Sequence, residues 1–166
     1  MNEREATNKV YIALGGNLGN KVSVFCMAEE LLSKEIGDII SKSSNYESEA
    51  VGFYSNNTFL NNVICLITQL SPLQVLSITQ DIEKRLGRTQ KSVQSNYKDR
   101  IIDIDILYYN NIIINTYELT IPHPHLHERE FVLKPLLEIA PKKIHPAFLL
   151  NTEEMWFRYQ NQHLQV

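Results

Sequence analysis

The sequence predicts a single α+β domain over residues 1–166, with an antiparallel sheet and helices packed mainly on one face of it. Apolar segments of strand length alternate with segments whose apolar residues recur at helical spacing. Their order is strand, helix, strand, strand, helix, strand, followed by a C-terminal extension. This order is typical of the ferredoxin-like, split βαβ arrangement. The chain has 166 residues, 43% of them hydrophobic, which is enough for one compact core.

The first half of the chain begins with a predicted strand at 10–14, which ends at the glycine-rich turn 15–20. Apolar residues at helical spacing then predict a helix that stops at Gly37. Two strands follow, at 39–47 and 59–68, and the second is apolar enough to be central. The apolar positions of the helix are Val22, Phe25, Cys26, Leu32 and Ile36.

The second half opens with a helix, because Ser71 is a favourable N-cap and Pro72 suits a first helical position. Gly87 ends this helix. The elements predicted after it are a strand at 101–109, a short strand at 112–115 that pairs back with it, a helix at 130–139 whose regularity Pro135 limits, and a final helix capped by Thr152.

Two polar loops, at 49–58 and 88–99, are long for so compact a chain. Long loops in small domains often act as lids over a binding site. We therefore expect these two loops to border the functional site.

The net charge of −3 argues against a protein that binds nucleic acid by neutralising phosphates. The polar N-terminus carries no apolar signal segment, and the longest apolar run, 63–67, is too short to cross a bilayer. Cys26 and Cys65 lack metal-binding spacing and are expected in the core. We expect a cytoplasmic protein without nucleic-acid or membrane partners, and a monomer, with weak dimerisation left open.

The most informative segment, 99–107, predicts a strand with Asp103 and Asp105 on one face. The isoleucines that alternate with these aspartates project to the opposite face, toward a core. Two neighbouring carboxylates repel each other, and a bound divalent cation relieves the repulsion. Oxygen-only ligation of this kind suits Mg²⁺ held jointly with substrate phosphates.

An isolated Asp-x-Asp is more often a solvated strand face, but the context here favours a functional pair. Arg100 precedes the aspartates, and the loop before it carries Arg88, Lys91 and Lys98. Metal carboxylates with nearby cations are the ingredients of phosphoryl transfer, where the metal neutralises phosphates and cations stabilise the transferring charge.

The histidines of segment 122–127 alternate, a spacing that could suggest a zinc site. Pro124 breaks any regular strand there, and no matching Cys, His or acidic cluster is evident. A more economical interpretation is that His123 contacts a phosphate, with Arg129 near enough in sequence to join it.

Three further features have a structural and a functional interpretation. The loop 15–20 lies between a strand and a helix, but it lacks the glycines of a dinucleotide-binding fingerprint, so a structural turn is the better interpretation. Gln80 and Glu83 share a helix face, which is most simply a solvated face. Asn61 lies in an apolar strand and needs hydrogen-bond partners, which a polar ligand ring could supply.

Two long motifs, extended by two shorter ones, carry a resemblance to a known family. The chain resembles 6-hydroxymethyl-7,8-dihydropterin pyrophosphokinase, a folate-pathway enzyme family, over nearly its whole length. The motifs are Arg100-x-x-Asp103-x-Asp105-Ile-Leu, Pro122-His-Pro-His-x-His-Glu-Arg129-x-Phe131-Val-Leu-x-Pro135-Leu-x-Glu138-Ile-Ala-Pro141, Ala13-Leu-Gly-Gly-Asn17 and Phe59-Leu-Asn61.

The resemblance implies a ferredoxin-like fold and transfer of diphosphate from ATP, the co-substrate, to the hydroxymethyl oxygen of 6-hydroxymethyl-7,8-dihydropterin, with release of AMP. It implies two Mg²⁺ ions held by Asp103 and Asp105, and catalytic roles for Arg88 and Arg100. Residues that match the family's ATP site are Leu76, Gln80, Arg100, Ile106, Thr120, His123 and Arg129. Residues that match its pterin pocket are Ser48, Val51, Phe59, Asn61, Tyr97 and Phe131.

Several positions depart from the family's pattern. Tyr97 stands where Trp is usual, and Gln90 stands where a second loop arginine often occurs. Glu49-Ala50 replaces a Pro-Pro pair, so the first loop is expected to be more flexible. Glu118 occupies a site that is Arg in some members. These departures bear on loop closure and ATP affinity more than on the reaction.

Other function classes remain open on the sequence. Another Asp-x-Asp enzyme, such as a nucleotidyl- or glycosyltransferase, would yield a different nucleotide product and need no pterin pocket. A ferredoxin-like RNA-binding or regulatory module is disfavoured by the acidic composition and the lack of aromatic RNA-binding strand motifs. A catalytically inactive relative is disfavoured because the two aspartates and Arg129 are present.

Overall fold

A computed structural model of the chain describes residues 7–50, 53–87 and 99–164. Its strands are β1 (Asn8–Gly16), β2 (Ile39–Lys42), β3 (Tyr46–Ser48), β4 (Phe59–Thr68), β5 (Asp103–Tyr109), β6 (Ile114–Asn115) and β7 (Thr120–Ile121). Its α-helices are α1 (Lys21–Glu35), α2 (Pro72–Arg85), α3 (Glu130–Ile139) and α4 (Thr152–His163), and a 3₁₀ turn spans Leu126–Glu128.

The main sheet is antiparallel, with strand order β2–β4–β1–β5, and β3 also pairs with β4. The central position predicted for the strand 59–68 is confirmed, because β4 pairs with β1 on one side and with β2 and β3 on the other. Nine of its ten residues are buried, which is the pattern of a strand covered on both faces.

Helices cover both faces of this sheet. On one face, α1 and α2 pack through Phe25, Leu32, Val75 and Ile82. On the other face, α3 and α4 pack through Val132, Leu133, Leu136 and Met155. The prediction of helices mainly on one face therefore holds for α1 and α2 only, since the apolar stripes of α3 and α4 bury the second face.

A bulge near the middle of β5 lets one strand serve both layers. Tyr108 pairs with Tyr11 and Ile106 with Ile12, so Leu107 is an extra residue with no partner in β1. Leu107 and Tyr108 consequently both lie in the α3 and α4 layer, whereas Ile106 lies in the α1 and α2 layer.

The single strand predicted at 39–47 is interrupted. Lys42 pairs with Ile64 and Tyr46 pairs with Asn61, so three intervening residues face only two of β4. Ser43 bridges the break, because its backbone N donates to Val63 O and its Oγ accepts from Val63 N. The chain therefore forms β2 and β3 instead of one continuous strand.

Three other predicted elements differ in detail. The short strand near 112–115 pairs with β7 instead of returning to the aspartate strand. Asn151 is the N-cap of α4, and Thr152 is the first helical residue, whose hydroxyl donates to Ala140 O. The helix α3 continues through Pro135 to its predicted end.

The predicted cap of α2 is confirmed. Ser71 and Gln74 form a capping box, in which each side chain accepts from the other residue's backbone N. The two cysteines differ: Cys65 is buried as predicted, but Cys26 is exposed, because α1 turns it away from the sheet. Among the described residues, no helix combines the length and apolarity that a membrane crossing needs.

Candidate active site

The two aspartates and Asn61 meet at the end of the sheet where β1 stops. Gly15 of β1 pairs with Asn61 of β4 on one side and with Asp103 of β5 on the other. Residues opposite each other in an antiparallel ladder share a face, so Asn61 and Asp103 project together from backbones about 10 Å apart. The same ladder places Asp105 beside Ala13, on that same face.

The predicted division of β5 into a carboxylate face and a core face is confirmed. Ile102, Ile104 and Ile106 are at most 5% exposed, whereas both aspartates remain partly accessible. The aspartate Cα atoms are about 6.5 Å apart along the strand. This spacing suits two carboxylates that contribute oxygen ligands to a shared metal centre.

Gly15 keeps the space between Asn61 and Asp103 free of a side chain. A Cβ atom on Gly15 would lie 3.4 Å from Asn61 Oδ1. The glycine therefore leaves a flat floor of backbone between an amide and a carboxylate.

Asn61 has a defined amide orientation. Its Nδ2 donates to Tyr46 O at 3.2 Å and to Ser48 Oγ at 2.8 Å. Because a backbone carbonyl can only accept, the nitrogen must face β3 and the oxygen must face away from it. Asn61 Oδ1 is thus turned toward the floor at Gly15, as an acceptor.

Arg100 lies between a carboxylate and an aromatic ring. Its Nε is 3.7 Å from Asp103 Oδ2, and its Cζ is 5.0 Å from the centroid of the Phe59 ring. Phe59 is 6% exposed and also meets Phe53 edge to face at 6.2 Å. The structure therefore brings together a predicted ATP contact, a predicted metal ligand and a predicted pterin wall.

Asn17 positions this arginine, although the sequence by itself predicts only a turn at 15–20. It is 3% exposed, its Oδ1 accepts from Arg100 N at 2.8 Å, and its N donates to Arg100 O at 2.9 Å. Its Nδ2 donates to Asp99 Oδ1 at 2.8 Å. The available signal was a polar residue immediately after an apolar strand and two glycines.

Asp99 connects the segment just before β5 to the loop just before β4. Its carboxylate accepts from Ser55 Oγ at 2.6 Å and from Asn57 Nδ2 at 3.2 Å, besides Asn17. These hydrogen bonds, led by that from Ser55, lower the pKa of Asp99 from its ordinary value of 3.8. The segment before β5 is therefore held by an ionised carboxylate.

Glu83 was expected on a solvated face with Gln80, but the two residues differ. Glu83 is 3% exposed and its Oε1 accepts from Ile104 N at 3.0 Å, whereas Gln80 is exposed. Because β5 is an edge strand, the Ile104 N–H points away from β1 and needs a partner there. Glu83 of α2 supplies it, and the N–H that it accepts belongs to the residue between the two aspartates in sequence.

The other ATP candidates lie along the outer edge of β5. His123 N donates to Leu107 O at 3.0 Å, so the chain that leaves β7 follows this edge. Thr120 is the first residue of β7. Leu76 packs on the α1 and α2 layer, in which Ile106 is buried. These residues do not share the carboxylate face but flank the same strand from its open side.

Arg129 and Phe131 lie at the start of α3. Arg129 Cζ is 5.7 Å from the centroid of the Phe131 ring, and Arg129 is the helix N-cap residue. The helix packs against β4, and Phe131 packs on the apolar layer that covers the carboxylate face.

Two of the alternating histidines lie next to the same carboxylate, since His127 Nε2 is 3.4 Å from Glu128 Oε1 and His125 also contacts Glu128. His125 is exposed and its Nδ1 lies 2.9 Å from Glu128 Oε2. Within the described residues, no group of three or more His, Cys, Asp or Glu side chains is arranged to hold a metal ion. Two carboxylates are fewer ligands than Mg²⁺ takes, so a metal ion held by the two aspartates would need substrate phosphates and water to complete its coordination.

Three predicted site residues, Arg88, Val51 and Tyr97, lie outside the described residues. The same holds for most of the predicted loop 88–99.

A family model described as 7,8-dihydro-6-hydroxymethylpterin-pyrophosphokinase (HPPK) matches residues 11–141. The match spans the glycine floor, Asn61, both aspartates, Arg129 and Glu138. The matched range therefore contains all the residues of the site described above.

Similar sequences carry the corresponding name. A 2-amino-4-hydroxy-6-hydroxymethyldihydropteridine pyrophosphokinase of Porphyromonas gingivalis is 45% identical over 138 residues, which cover 82% of this chain and 93% of that protein. The protein of the same name from Bacillus subtilis is 37% identical over 156 residues, covering 93% and 92%. A folic acid synthesis protein of Dictyostelium discoideum is 38% identical over 160 residues, 96% of this chain but 24% of that protein.

The solved structure of wild-type HPPK-DHPS from Plasmodium falciparum with pteroate has a similar fold. The TM-score is 0.80 at 17% identity, and the match covers 98% of this chain. This chain spans about half the length of that one, 46%. The family match over residues 11–141 and the relatives at 37% and 45% identity lead to one conclusion: the chain belongs to the 7,8-dihydro-6-hydroxymethylpterin-pyrophosphokinase family.

Proposed function

We propose that this protein transfers the diphosphate group of ATP to the hydroxymethyl oxygen of 6-hydroxymethyl-7,8-dihydropterin, releasing AMP, in folate synthesis. The observation that carries the proposal is the pairing of Gly15 with both Asn61 and Asp103. It supports the proposal because the Asn61 amide and the Asp103 carboxylate project from one face with only the backbone of Gly15 between them.

The pterin is bound by stacking and by directed hydrogen bonds. Asn61 Oδ1 accepts a hydrogen bond from the ring's polar edge, because its Nδ2 is already held by Tyr46 O and Ser48 Oγ. Phe59 and Phe131 supply aromatic walls from β4 and α3. The resemblance adds Val51 and Tyr97 to this pocket.

ATP binds along the outer edge of β5. Backbone N–H and C=O groups alternate in direction along a strand, so Ile106 directs its backbone groups to the same side as Ile104, whose N–H contacts Glu83. This edge therefore offers backbone contacts for the adenine. The side chains assigned to the ATP site there are Leu76, Gln80, Thr120 and His123, with Arg100 and Arg129 reaching phosphates.

Asp103 and Asp105 would hold the metal. Bound Mg²⁺, with two ions expected, would supply charge neutralisation for the triphosphate and polarisation at the β-phosphorus. The hydroxymethyl oxygen gives up its proton, with the Asp103 or Asp105 carboxylate as the acceptor, and attacks the β-phosphorus. The bond from that phosphorus to the oxygen shared with the α-phosphate breaks, the β,γ-diphosphate stays on the pterin, and AMP leaves. Arg100, with Arg88 from the loop, stabilises the charge that develops.

The proposal extends to the fold and to the setting of the protein. The strand order β2–β4–β1–β5, with α1 and α2 on one face, supports a ferredoxin-like topology if β2 and β3 count as one interrupted strand. A cytoplasmic location and a monomeric state stay predictions.

The nucleotide product from ATP, Mg²⁺ and 6-hydroxymethyl-7,8-dihydropterin tests the reaction. We expect one AMP for each pterin diphosphate. In Asp105→Ala we expect turnover to fall by about 10³-fold or more, because a metal ligand stabilises the transition state by several kcal/mol. The exposed Asp38, changed to Asn, is the matched control and should keep full activity.

The outcomes separate the function from the assignment of the site. ADP as the product, or no pterin-dependent product from folded wild-type protein, would exclude the proposed reaction. Wild-type turnover that survives in Asp105→Ala would instead remove Asp105 from the metal site. An unchanged unfolding temperature of the variant shows that the fold is intact.

A further inference from the structure

The carboxylate of Glu138, near the end of α3, collects four hydrogen bonds from one short segment. Ser44 N donates to its two oxygens at 3.1 and 3.0 Å, and Ser44 Oγ donates at 2.8 Å. Tyr46 OH donates to Oε2 at 2.7 Å. Hydrogen bonds to an ionised acceptor are shorter and stronger than those to a neutral one. This carboxylate therefore holds the segment at the start of β3 against α3.

The segment held by Glu138 is the one that orients Asn61. Tyr46 O and Ser48 Oγ, at the two ends of β3, are the acceptors for Asn61 Nδ2. The strand β3 has three residues and, within the part of the chain that the structure describes, pairs only with β4. Because so short a strand contributes few ladder bonds, its position depends on the contacts at its ends.

Glu138 also shares a helix face with Phe131. The two residues are seven apart, which is two turns of an α-helix, so they project from the same side of α3. One side of this helix therefore contributes an aromatic wall at its start and holds the strand beneath Asn61 at its end.

We propose that Glu138 is a positioning residue for pterin recognition, which acts by holding β3 so that the Asn61 amide keeps its oxygen turned toward the ring. The inference rests on the proposed function. It extends that function to a residue about two helical turns from the pocket, which touches neither substrate.

The protonation states agree with this arrangement. The hydrogen bond from Tyr46, followed by those from Ser44, lowers the pKa of Glu138. The same hydrogen bond to Glu138 raises the pKa of Tyr46. At neutral pH the pair is therefore a carboxylate acceptor and a protonated phenol donor.

The test compares three variants in a graded series, Glu138→Ala, Glu138→Gln and Tyr46→Phe. Alanine removes all four hydrogen bonds, glutamine keeps one acceptor oxygen, and Tyr46→Phe removes a single donor. We expect the Kd of 6-hydroxymethyl-7,8-dihydropterin, measured with Mg²⁺ and a non-hydrolysable ATP analogue, to rise about tenfold in Glu138→Ala. The other two variants should show smaller rises.

The readout separates positioning from general damage. Loss of positioning raises the Kd and KM of the pterin while the Kd of the ATP analogue and kcat stay within about twofold. Glu153→Gln is the matched control, because Glu153 lies on a different helix, α4, and the change weakens only its exposed contact of 2.6 Å to Lys142. It should leave both substrates unaffected.

Three results would overturn the inference. One is an unchanged pterin Kd in folded Glu138→Ala; another is an equal loss for both substrates together with lower kcat. If Glu138→Ala does not fold, a wild-type pterin Kd in Tyr46→Phe decides against it. Failure of the wild-type protein to bind the pterin would instead defeat the proposed function, and the inference with it.

Discussion

Asn17 and Arg100 are joined by two hydrogen bonds, one from Asn17 N to Arg100 O at 2.9 Å and one from Arg100 N to Asn17 Oδ1 at 2.8 Å. The last regular pair between β1 and β5 is Gly15 with Asp103. The asparagine side chain therefore extends the ladder beyond the last paired residues. Through this extension the end of β1 sets the position of the arginine beside the aspartates.

Replacing Asn17 should destabilise the protein. Asn17→Ala removes the acceptor of the Arg100 N–H and one of the donors to the Asp99 carboxylate. We expect the free energy of unfolding to fall by about 2 kcal/mol. Asn17→Asp should also destabilise, because a second carboxylate would face Asp99. Urea unfolding measures both variants.

The control for this prediction is Asn56→Ala. Asn56 is an exposed asparagine of the nearby loop, and its side chain accepts a hydrogen bond from Tyr54. It should change stability by less than about 0.5 kcal/mol. Equal effects of Asn17→Ala and Asn56→Ala would contradict a structural role for the buried asparagine.

The adjacent glycines of β1 should respond differently to alanine. A Cβ on Gly16 would lie 2.2 Å from Ile101 O, a backbone atom that cannot move independently. We expect Gly16→Ala to lower the free energy of unfolding by about 3 kcal/mol or more, or to prevent folding. Thermal unfolding measures this change, and near-wild-type stability would contradict the close approach of 101 to β1.

Gly15→Ala should keep the fold but impair binding. Its Cβ would lie at an ordinary contact distance of 3.4 Å from Asn61 Oδ1. The methyl group fills the floor between Asn61 and Asp103, so we expect the pterin Kd to rise about tenfold or more while stability changes by less than about 1 kcal/mol. Calorimetric titration and thermal unfolding provide the two readouts. Unchanged pterin affinity in the folded variant would show that the ring does not lie over Gly15.

Acid should weaken the tie between Asp99 and the loop before β4. The hydrogen bonds from Ser55, Asn17 and Asn57 lower the pKa of Asp99 below 3.8. A carboxylate with a lowered folded-state pKa stabilises the protein above its unfolded pKa, and this contribution disappears as pH falls through the folded value. We expect the stability of wild-type protein to fall more than that of Asp99→Asn between about pH 5 and pH 2. Parallel pH profiles of unfolding would contradict this role of Asp99.

Arg88 is expected to act during loop closure. It lies outside the described residues, so the expectation rests on the resemblance. Arg88→Ala should slow turnover more than it weakens ground-state ATP binding, because its charge is needed most in the transition state. Single-turnover kinetics and nucleotide titration measure the two effects. Equal losses in both would argue against a role confined to closure.

Local pattern predicted much of the fold correctly. The strand 59–68, the capped helix after Ser71 and the helix at 130–139 all form where the sequence places them. These elements are determined by periodicity and caps within a few residues, which a single sequence displays directly. The alternation of aspartate and isoleucine in β5 likewise decides which side chains face the core.

Several of the differences between prediction and structure share a physical cause. The break between β2 and β3, the bulge at Leu107 and the pairing of β6 with β7 each depend on which residues of a distant strand lie opposite. Cross-strand register is a tertiary property, because each pair joins segments far apart in the chain. The burial of Glu83 and Asn17 has the same origin, since their partners lie in or just before β5.

The sequence pattern therefore identifies residues of the site, whereas strand pairing in the folded chain determines how they are arranged. Residue type and spacing alone identify Asp103 and Asp105 as a carboxylate pair, because strand geometry places alternate side chains on one face. Only the folded chain places Asn61 and Asp103 on either side of Gly15, because the distance between these two side chains depends on how β4, β1 and β5 pair. Chemistry is local to a short segment, whereas a binding site needs the long-range register that hydrogen bonding and core packing select together.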